Sequence, residues 1–220
     1  RNKVGKMKDS FERVIDYMRI SITDRCNLRC RYCMPEDIAF IPHEEIMTYE
    51  ELLRLTRLFA GQGIRKIKIT GGEPLVRRGC VDFIRSLKEI EGISNVTITT
   101  NGVLLEQYMD DLAKAGIDGI NISLDTLRAD SYEKITGRNE FGRVWRGIVK
   151  AIESGIRIKL NCVPVEGVNA EEIPAFFELA KNNPIDVRFI EMMPIGHGRE
   201  FQAVSAGDIL ELLRQRYDNI

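Results

Sequence analysis

Apolar and polar residues alternate along several short stretches of the chain, and a segment of helical period follows each of them. Arg19-Ile20-Ser21-Ile22, Lys66-Ile67-Lys68-Ile69-Thr70, Asn121-Ile122-Ser123-Leu124-Asp125 and Lys159-Leu160-Asn161 change polarity at every residue. A period of two sends alternate side chains to opposite faces of a strand. The pattern predicts strands over 18–22, 66–70, 96–100, 119–124, 157–163 and 187–190. Helical patterns fall near 49–62, 81–90, 107–115, 144–154, 173–182 and 206–217. Thr48 with Glu51, and Ser205 with Asp208, have the spacing of reciprocal N-terminal caps. Gly116 and Gly155 follow apolar helical stretches, where a left-handed C-terminal cap is expected.

Strands that alternate with helices imply parallel βαβ units. Six of them suggest an α/β fold, an open and partial (β/α)6 barrel, with a doubly wound open sheet as the alternative. No Pro-, Gly- or Ser-rich linker divides residues 1–220, so a single domain is expected. Strands of a parallel sheet covered on both faces usually read as unbroken apolar runs. Here the helices are expected to cover one apolar face, leaving a polar face toward the lumen. Lys and Arg are costly there unless paired or hydrated. A wet, charged lumen suits a polar ligand; strands edging onto solvent are the other explanation.

Composition narrows the field. Thirty-two Lys and Arg against 33 Asp and Glu give a net charge of −1. That balance gives no reason to expect nucleic acid or an anionic membrane as partner. No apolar run approaches the roughly 20 residues that cross a bilayer. The chain opens on Arg1 with no signal-peptide pattern. Five cysteines, an odd number, argue against a disulfide scaffold. A reduced, cytoplasmic protein is expected.

Three of those cysteines carry the candidate chemistry. Cys26, Cys30 and Cys33 are spaced C-x3-C-x2-C in the loop after the first strand. In a parallel α/β fold that loop opens at the carboxyl ends of the strands, where active sites gather. Three thiolates can hold three irons of a [4Fe–4S] cubane and leave the fourth iron open to a chelating ligand. A structural zinc site or unpaired core cysteines are the alternatives, although structural zinc usually takes four ligands. Cys80 and Cys162 read as small core residues. The strand over 66–70 then runs straight into Gly71-Gly72-Glu73-Pro74, a turn where glycine lets the backbone approach a ligand or take a positive φ.

The cysteine motif followed by this turn resembles the radical S-adenosylmethionine (SAM) superfamily. Asp9-Ser10-Phe11 to Arg19-Ile20-Ser21, Asp24-Arg25-Cys26 to Met34-Pro35, and Ile69 to Leu75 are part of a fuller match. Thr99-Thr100-Asn101-Gly102, Asn121 to Asp125 and Arg188-Phe189-Ile190-Glu191 complete it. Together these segments resemble the GTP 3′,8-cyclase family of molybdenum cofactor biosynthesis. The resemblance implies a lyase that reductively cleaves SAM and uses a 5′-deoxyadenosyl radical to cyclise GTP. It implies metal ligands Cys26, Cys30 and Cys33, and SAM contacts at Tyr32, Gly72, Ser123 and Met193. It implies GTP contacts at Arg19, Lys68, Thr99 and Lys159, all on polar strand faces. On chemistry alone, Ser123 reads better as a core hydroxyl bonded to backbone and Met193 as a packing residue, and the resemblance reverses that; ion pairing with Asp125 or Glu191 is the other reading of the cations.

The resemblance also implies an external electron donor, with a homodimer as one expected assembly. It places a second cysteine trio, for a second [4Fe–4S] cluster that contacts guanine, toward the C-terminus. No cysteine follows Cys162, so that cluster is expected only in a region outside this sequence. Another radical SAM enzyme acting on a peptide or tetrapyrrole, or a zinc-binding module without activity, are the competing readings.

Overall fold

The computed structural model describes residues 7–34 and 38–217. Pro35, which ends the cysteine-motif segment, lies outside them. Among the described residues six strands form one sheet: β1 Tyr17–Ser21, β2 Lys66–Thr70, β3 Asn95–Thr100, β4 Gly119–Ser123, β5 Ile158–Cys162 and β6 Ile185–Phe189. Their order is β1-β2-β3-β4-β5-β6, and the β1–β2, β2–β3 and β5–β6 pairs are parallel. A doubly wound sheet reverses its strand order at a switch point. This sheet never reverses, and β1 and β6 remain its two edges, so the fold is the partial (β/α) barrel. Bonds from Ile22 N to Thr70 O, Leu124 N to Asn161 O and Ile190 N to Cys162 O carry the ladder one residue past the strand ends.

The helices are α1 Tyr49–Gly61, α2 Cys80–Lys88, α3 Leu105–Lys114, α4 Ala129–Thr136, α5 Phe141–Glu153, α6 Ile173–Asn182 and α7 Ala206–Arg216. Both reciprocal caps are present: Thr48 and Ser205 accept from Glu51 N and Asp208 N, and both acidic side chains reach back. Gly116 and Gly155 have φ of 74° and 72°, the left-handed cap conformation. The helix α4 has no counterpart among the predicted elements. It is eight residues long, and its Arg128 N-cap makes no side-chain capping bond. Its clearest trace in the sequence is Gly137, which ends it at φ 69°.

The chain divides into two compact units, Arg1–Asn27, Ala39–Thr100 and Gln107–Ile120 in the first, and Leu28–Ile38, Asn101–Glu106 and Asn121–Ile220 in the second. In the first unit the alternation predicted from the sequence decides burial. Ile67, Ile69, Val96 and Ile98 are fully buried, while Lys66, Lys68, Thr97 and Thr99 between them are not. Each such aliphatic contributes about 1.5–3 kcal/mol by leaving water. In the second unit Phe176 and Phe177 of α6 meet Phe189 of β6 edge-on, and Ile173, Phe177, Val204 and Ile209 close a smaller core. The strand β4 departs from expectation. Asn121 and Asp125 are buried and Ser123 alone is exposed, so its polar residues do not form one wet face.

Candidate active site

In the first unit the glycine turn is built against the beginning of the cysteine motif. Gly72 N donates to Thr23 O at 2.7 Å, and Glu73 N donates to Arg25 O at 2.8 Å. A Cβ on Gly71 would lie 2.5 Å from Thr23 O, and one on Gly72 would lie 2.4 Å from Arg25 O. No side chain fits between two backbones so close. The approach that demands glycine here is to the chain's own backbone, a reason additional to ligand binding. Glu73 is buried, and its Oε1 accepts from Leu75 N at 3.0 Å and from the Thr100 hydroxyl at 2.7 Å. That fixes the turn from inside.

Arg77 braces the same region. Its Nη1 donates to Ile22 O at 2.6 Å, its Nη2 donates to Met47 O at 2.7 Å, and its guanidinium lies 4.2 Å over the Tyr49 ring. Tyr49 in turn stacks on Phe83 at 4.7 Å. Ile41 N donates to Asp24 Oδ2 at 2.6 Å, while Asp24 Oδ1 is buried with no partner. Cys26 leaves this frame half-buried, its Sγ 4.0 Å from Asn27 Oδ1.

The rest of the cysteine loop belongs to the second unit, where the unpredicted α4 holds it. A helix leaves its last carbonyls without partners inside the helix. Here Arg29 N donates to Thr136 O at 2.9 Å and Arg31 N to Ile135 O at 3.0 Å. Cys30 and Cys33 share one turn, since Cys33 N and Met34 N both donate to Cys30 O. Tyr32, between them, donates its hydroxyl to Asp125, whose other oxygen accepts from Val163 N at 2.8 Å. Burial pushes the Tyr32 phenol well above its usual range, and the charges of Asp125, Cys30 and Cys33 push the same way. Burial likewise raises the Asp125 carboxyl, while the bonds from Tyr32 and Val163 oppose it. A cavity of about 260 Å³ opens beside them, lined by Arg31, Tyr32, Asp125, Val163, Asn169 and Phe201 among others.

The other nominated residues are distributed as follows. Arg19 and Lys68 are register partners on β1 and β2, and Thr99 shares a face of β3 with Thr97, the register partner of Lys68. Lys159 of β5 faces Asp186 of β6, with Nζ 3.7 Å from the carboxylate. Ser123 is exposed at the end of β4, and Met193 is 64% exposed and does not line the cavity. A larger cavity of about 900 Å³ in the first unit, lined by Val14, Asp16, Arg57 and Arg65 among others, contains none of the nominated residues. Position at the carboxyl ends of the strands, and not volume, marks the chemistry.

Sequence reasoning missed Glu73, Arg77 and Asp125 as supports. Glu73 and Arg77 lie in and just after the glycine turn, so only Asp125, far from Tyr32 in sequence, lacked a local signal. No described cysteine forms a disulfide. Among the described residues no three His, Cys, Asp or Glu side chains stand together closely enough to hold a metal ion. The donor set nevertheless suits an iron–sulfur cluster: three thiols on one loop, fixed at its start by the glycine turn and at its end by α4.

A sheet wound in one direction, with a three-cysteine loop after its first strand and a glycine turn after its second, defines a class of protein. The family described as the Radical SAM superfamily matches residues 20–180, and the chain belongs to it. Within that family it is 45% identical over 210 residues to the GTP 3′,8-cyclase of Clostridium perfringens (strain SM101 / Type A), covering 95% of this chain and 65% of that protein. It is 46% identical over 218 residues to molybdenum cofactor biosynthesis protein 1 of Drosophila melanogaster, covering 98% of this chain and 39% of that one. The chain thus spans just under two thirds of the bacterial relative's length. Among solved structures it resembles Streptococcus suis SuiB bound to precursor peptide SuiA, with a TM-score of 0.75 at 20% identity over 91% of this chain and 46% of that one. It also resembles HydG, a maturase of the [FeFe]-hydrogenase, with a TM-score of 0.70 at 20% identity over 89% of this chain and 47% of that one. No described helix is long and apolar enough to cross a membrane.

Proposed function

We propose that this chain is the SAM-cleaving part of a GTP 3′,8-cyclase of molybdenum cofactor biosynthesis. The observation that carries the reading is the backbone lacing of Gly72 and Glu73 to Thr23 and Arg25, which joins the glycine turn to the cysteine motif. Similarity to the cyclases at 45–50% identity supports the substrate. Cys26, Cys30 and Cys33 would hold a [4Fe–4S] cluster, leaving it a position open to SAM. When bound, the cluster would supply the electron that splits SAM into methionine and a 5′-deoxyadenosyl radical, which would take the 3′ hydrogen of GTP and become 5′-deoxyadenosine.

The chain's own work is to bind, orient and exclude water. Gly72 presents backbone to the methionine end of SAM, on a turn that Glu73 and Thr100 keep rigid. Tyr32 meets the adenine edge through its backbone while Asp125 anchors its side chain. Ser123 and Met193, both exposed in the structure, contact SAM, Met193 beside its adenosine. Arg19, Lys68 and Lys159 take the triphosphate as charge-assisted donors, with Thr99 beside them. An external donor supplies the electron, and a second copy of the chain is one expected partner.

Anaerobic reconstitution followed by product analysis with SAM and GTP tests the reading. Release of 5′-deoxyadenosine that depends on Cys26, Cys30 and Cys33, and is stimulated by GTP, is the expected result. A reconstituted protein that binds iron yet neither cleaves SAM nor responds to GTP contradicts it.

A further inference from the structure

The polar face of the second unit carries more positive charge than its carboxylate balances. Lys159 and Asn161 of β5 face Asp186 and Arg188 of β6 in register, and Arg157 precedes them on the same face. Arg157 Nη2 donates to Asp186 Oδ2 at 3.0 Å, and Lys159 Nζ stands 3.7 Å from the same oxygen. Arg188 has no acidic partner among the described residues. Two cations therefore share one carboxylate, and Arg188 adds a third charge that this carboxylate does not pair. Burial, then repulsion from Arg188 and Arg157, lowers the Lys159 amine below its usual value, and Asp186 opposes that. At the next register position Asn161 Oδ1 is buried with no partner.

We propose that Asp186 is an internal counter-ion, which a bound phosphate chain displaces from Lys159 and which thereby holds down the affinity of this face for anions. The inference rests on the reading of Lys159 as a triphosphate contact. The side chains of Asp186, Arg157 and Lys159 are 49%, 68% and 18% exposed, and ion pairs with a carboxylate so open to water add little to stability. Their exchange for a multiply charged ligand is therefore cheap. A phosphate chain offers several oxygens and can satisfy Lys159, Arg157 and Arg188 together, which one carboxylate cannot. The Asn161 amide, whose oxygen and nitrogen exchange places by a simple flip, can give an N–H to a phosphate oxygen. Until the ligand arrives, Asp186 offsets part of the charge of Lys159 and Arg157.

The test uses the full chain and Asp186→Asn, which keeps shape and removes charge. Tripolyphosphate is titrated calorimetrically into both proteins at low and raised salt, with circular dichroism to verify the fold. The expected result is binding about two- to fivefold tighter in the variant, the scale of an exposed ion pair, and steeper in its salt dependence. Unchanged or weaker binding in the variant overturns the displacement, because Asp186 would then position Lys159 rather than compete for it. Titration of the Lys159 amine by NMR, assigned with Lys159→Arg, gives a readout independent of phosphate. The amine should lose its proton at lower pH in Asp186→Asn, and an unmoved titration removes Asp186 as its counter-ion. Tripolyphosphate binding to neither protein overturns the displacement and the triphosphate reading together, whatever the amine does.

Discussion

The two ends of the cysteine loop are held in different ways. In the first unit, main chain meets main chain: Gly71 and Gly72 lie against Thr23 and Arg25 with no space for a side chain. In the second, ionisable side chains join the main-chain bonds to α4: Tyr32 bonds to a buried Asp125, which also takes the Val163 amide. The glycine contact is broken by adding atoms, and the Tyr32–Asp125 contact by removing them. Polar groups buried together need all their partners, so the second support is also the one sensitive to chemistry at a single atom.

The sharpest break in the comparison is Gly72→Ala. Its new Cβ meets the Arg25 carbonyl, which cannot swing away as a side-chain tip could. About 3 kcal/mol of stability should be lost, as for an overpacked core, and iron uptake should fall with it. Urea unfolding and iron analysis measure both. Gly61→Ala is the control: a Cβ added there, in α1, would meet nothing within 4 Å, and about 0.5 kcal/mol of stabilisation is expected. If Gly72→Ala unfolds no earlier than wild type, the lacing is not what requires glycine.

Removal should act in the second unit. Asp125→Ala leaves the Tyr32 hydroxyl and the Val163 amide without their acceptor, at a cost of about 2 kcal/mol. Tyr32→Phe removes only the hydroxyl and should cost about 1 kcal/mol. A cost for Tyr32→Phe as large as for Asp125→Ala would show that Val163 is satisfied without the carboxylate. The smallest expected effect is an absence of reaction. Burial, with Glu73 adding to it, pushes Cys80 up to about 12, so at pH 8, well below that value, it remains a thiol. Burial raises Cys162 further still. Alkylation at pH 8 should therefore modify cysteines of the loop and leave Cys80 and Cys162 intact, as peptide mass analysis would show. Rapid modification of Cys80 would contradict its packing.

Much of this architecture was written in local pattern. The alternation in Lys66–Thr70 was enough to send Ile67 and Ile69 inward and leave Lys66 and Lys68 outside. Thr48 with Glu51 marked the start of α1 correctly. By contrast α4 lacked both a capping side chain and a long apolar period, and its purpose, to offer Ile135 O and Thr136 O to the cysteine loop, is a tertiary one. Paired glycines were legible as a close approach, yet the sequence could not say that the approaching group was Arg25 O. Asp125 was legible only as an acid for the strand cations to pair with, whereas it bonds to Tyr32 and Val163; Asp186 was silent, because its partners stand on another strand. Short-range periodicity reports which face is buried; it does not report what a buried acid bonds to.

The central claim is that Cys26, Cys30 and Cys33 hold a cluster with one iron open to SAM. Electron paramagnetic resonance of the anaerobically reconstituted, reduced chain, recorded with and without SAM, tests it most directly. The account predicts about four irons per chain, a spectrum that shifts on adding SAM, and loss of both in Cys26→Ala, Cys30→Ala and Cys33→Ala but not in Cys80→Ala or Cys162→Ala. A protein that takes up only zinc, a spectrum indifferent to SAM, or loss of the cluster in Cys162→Ala would contradict it.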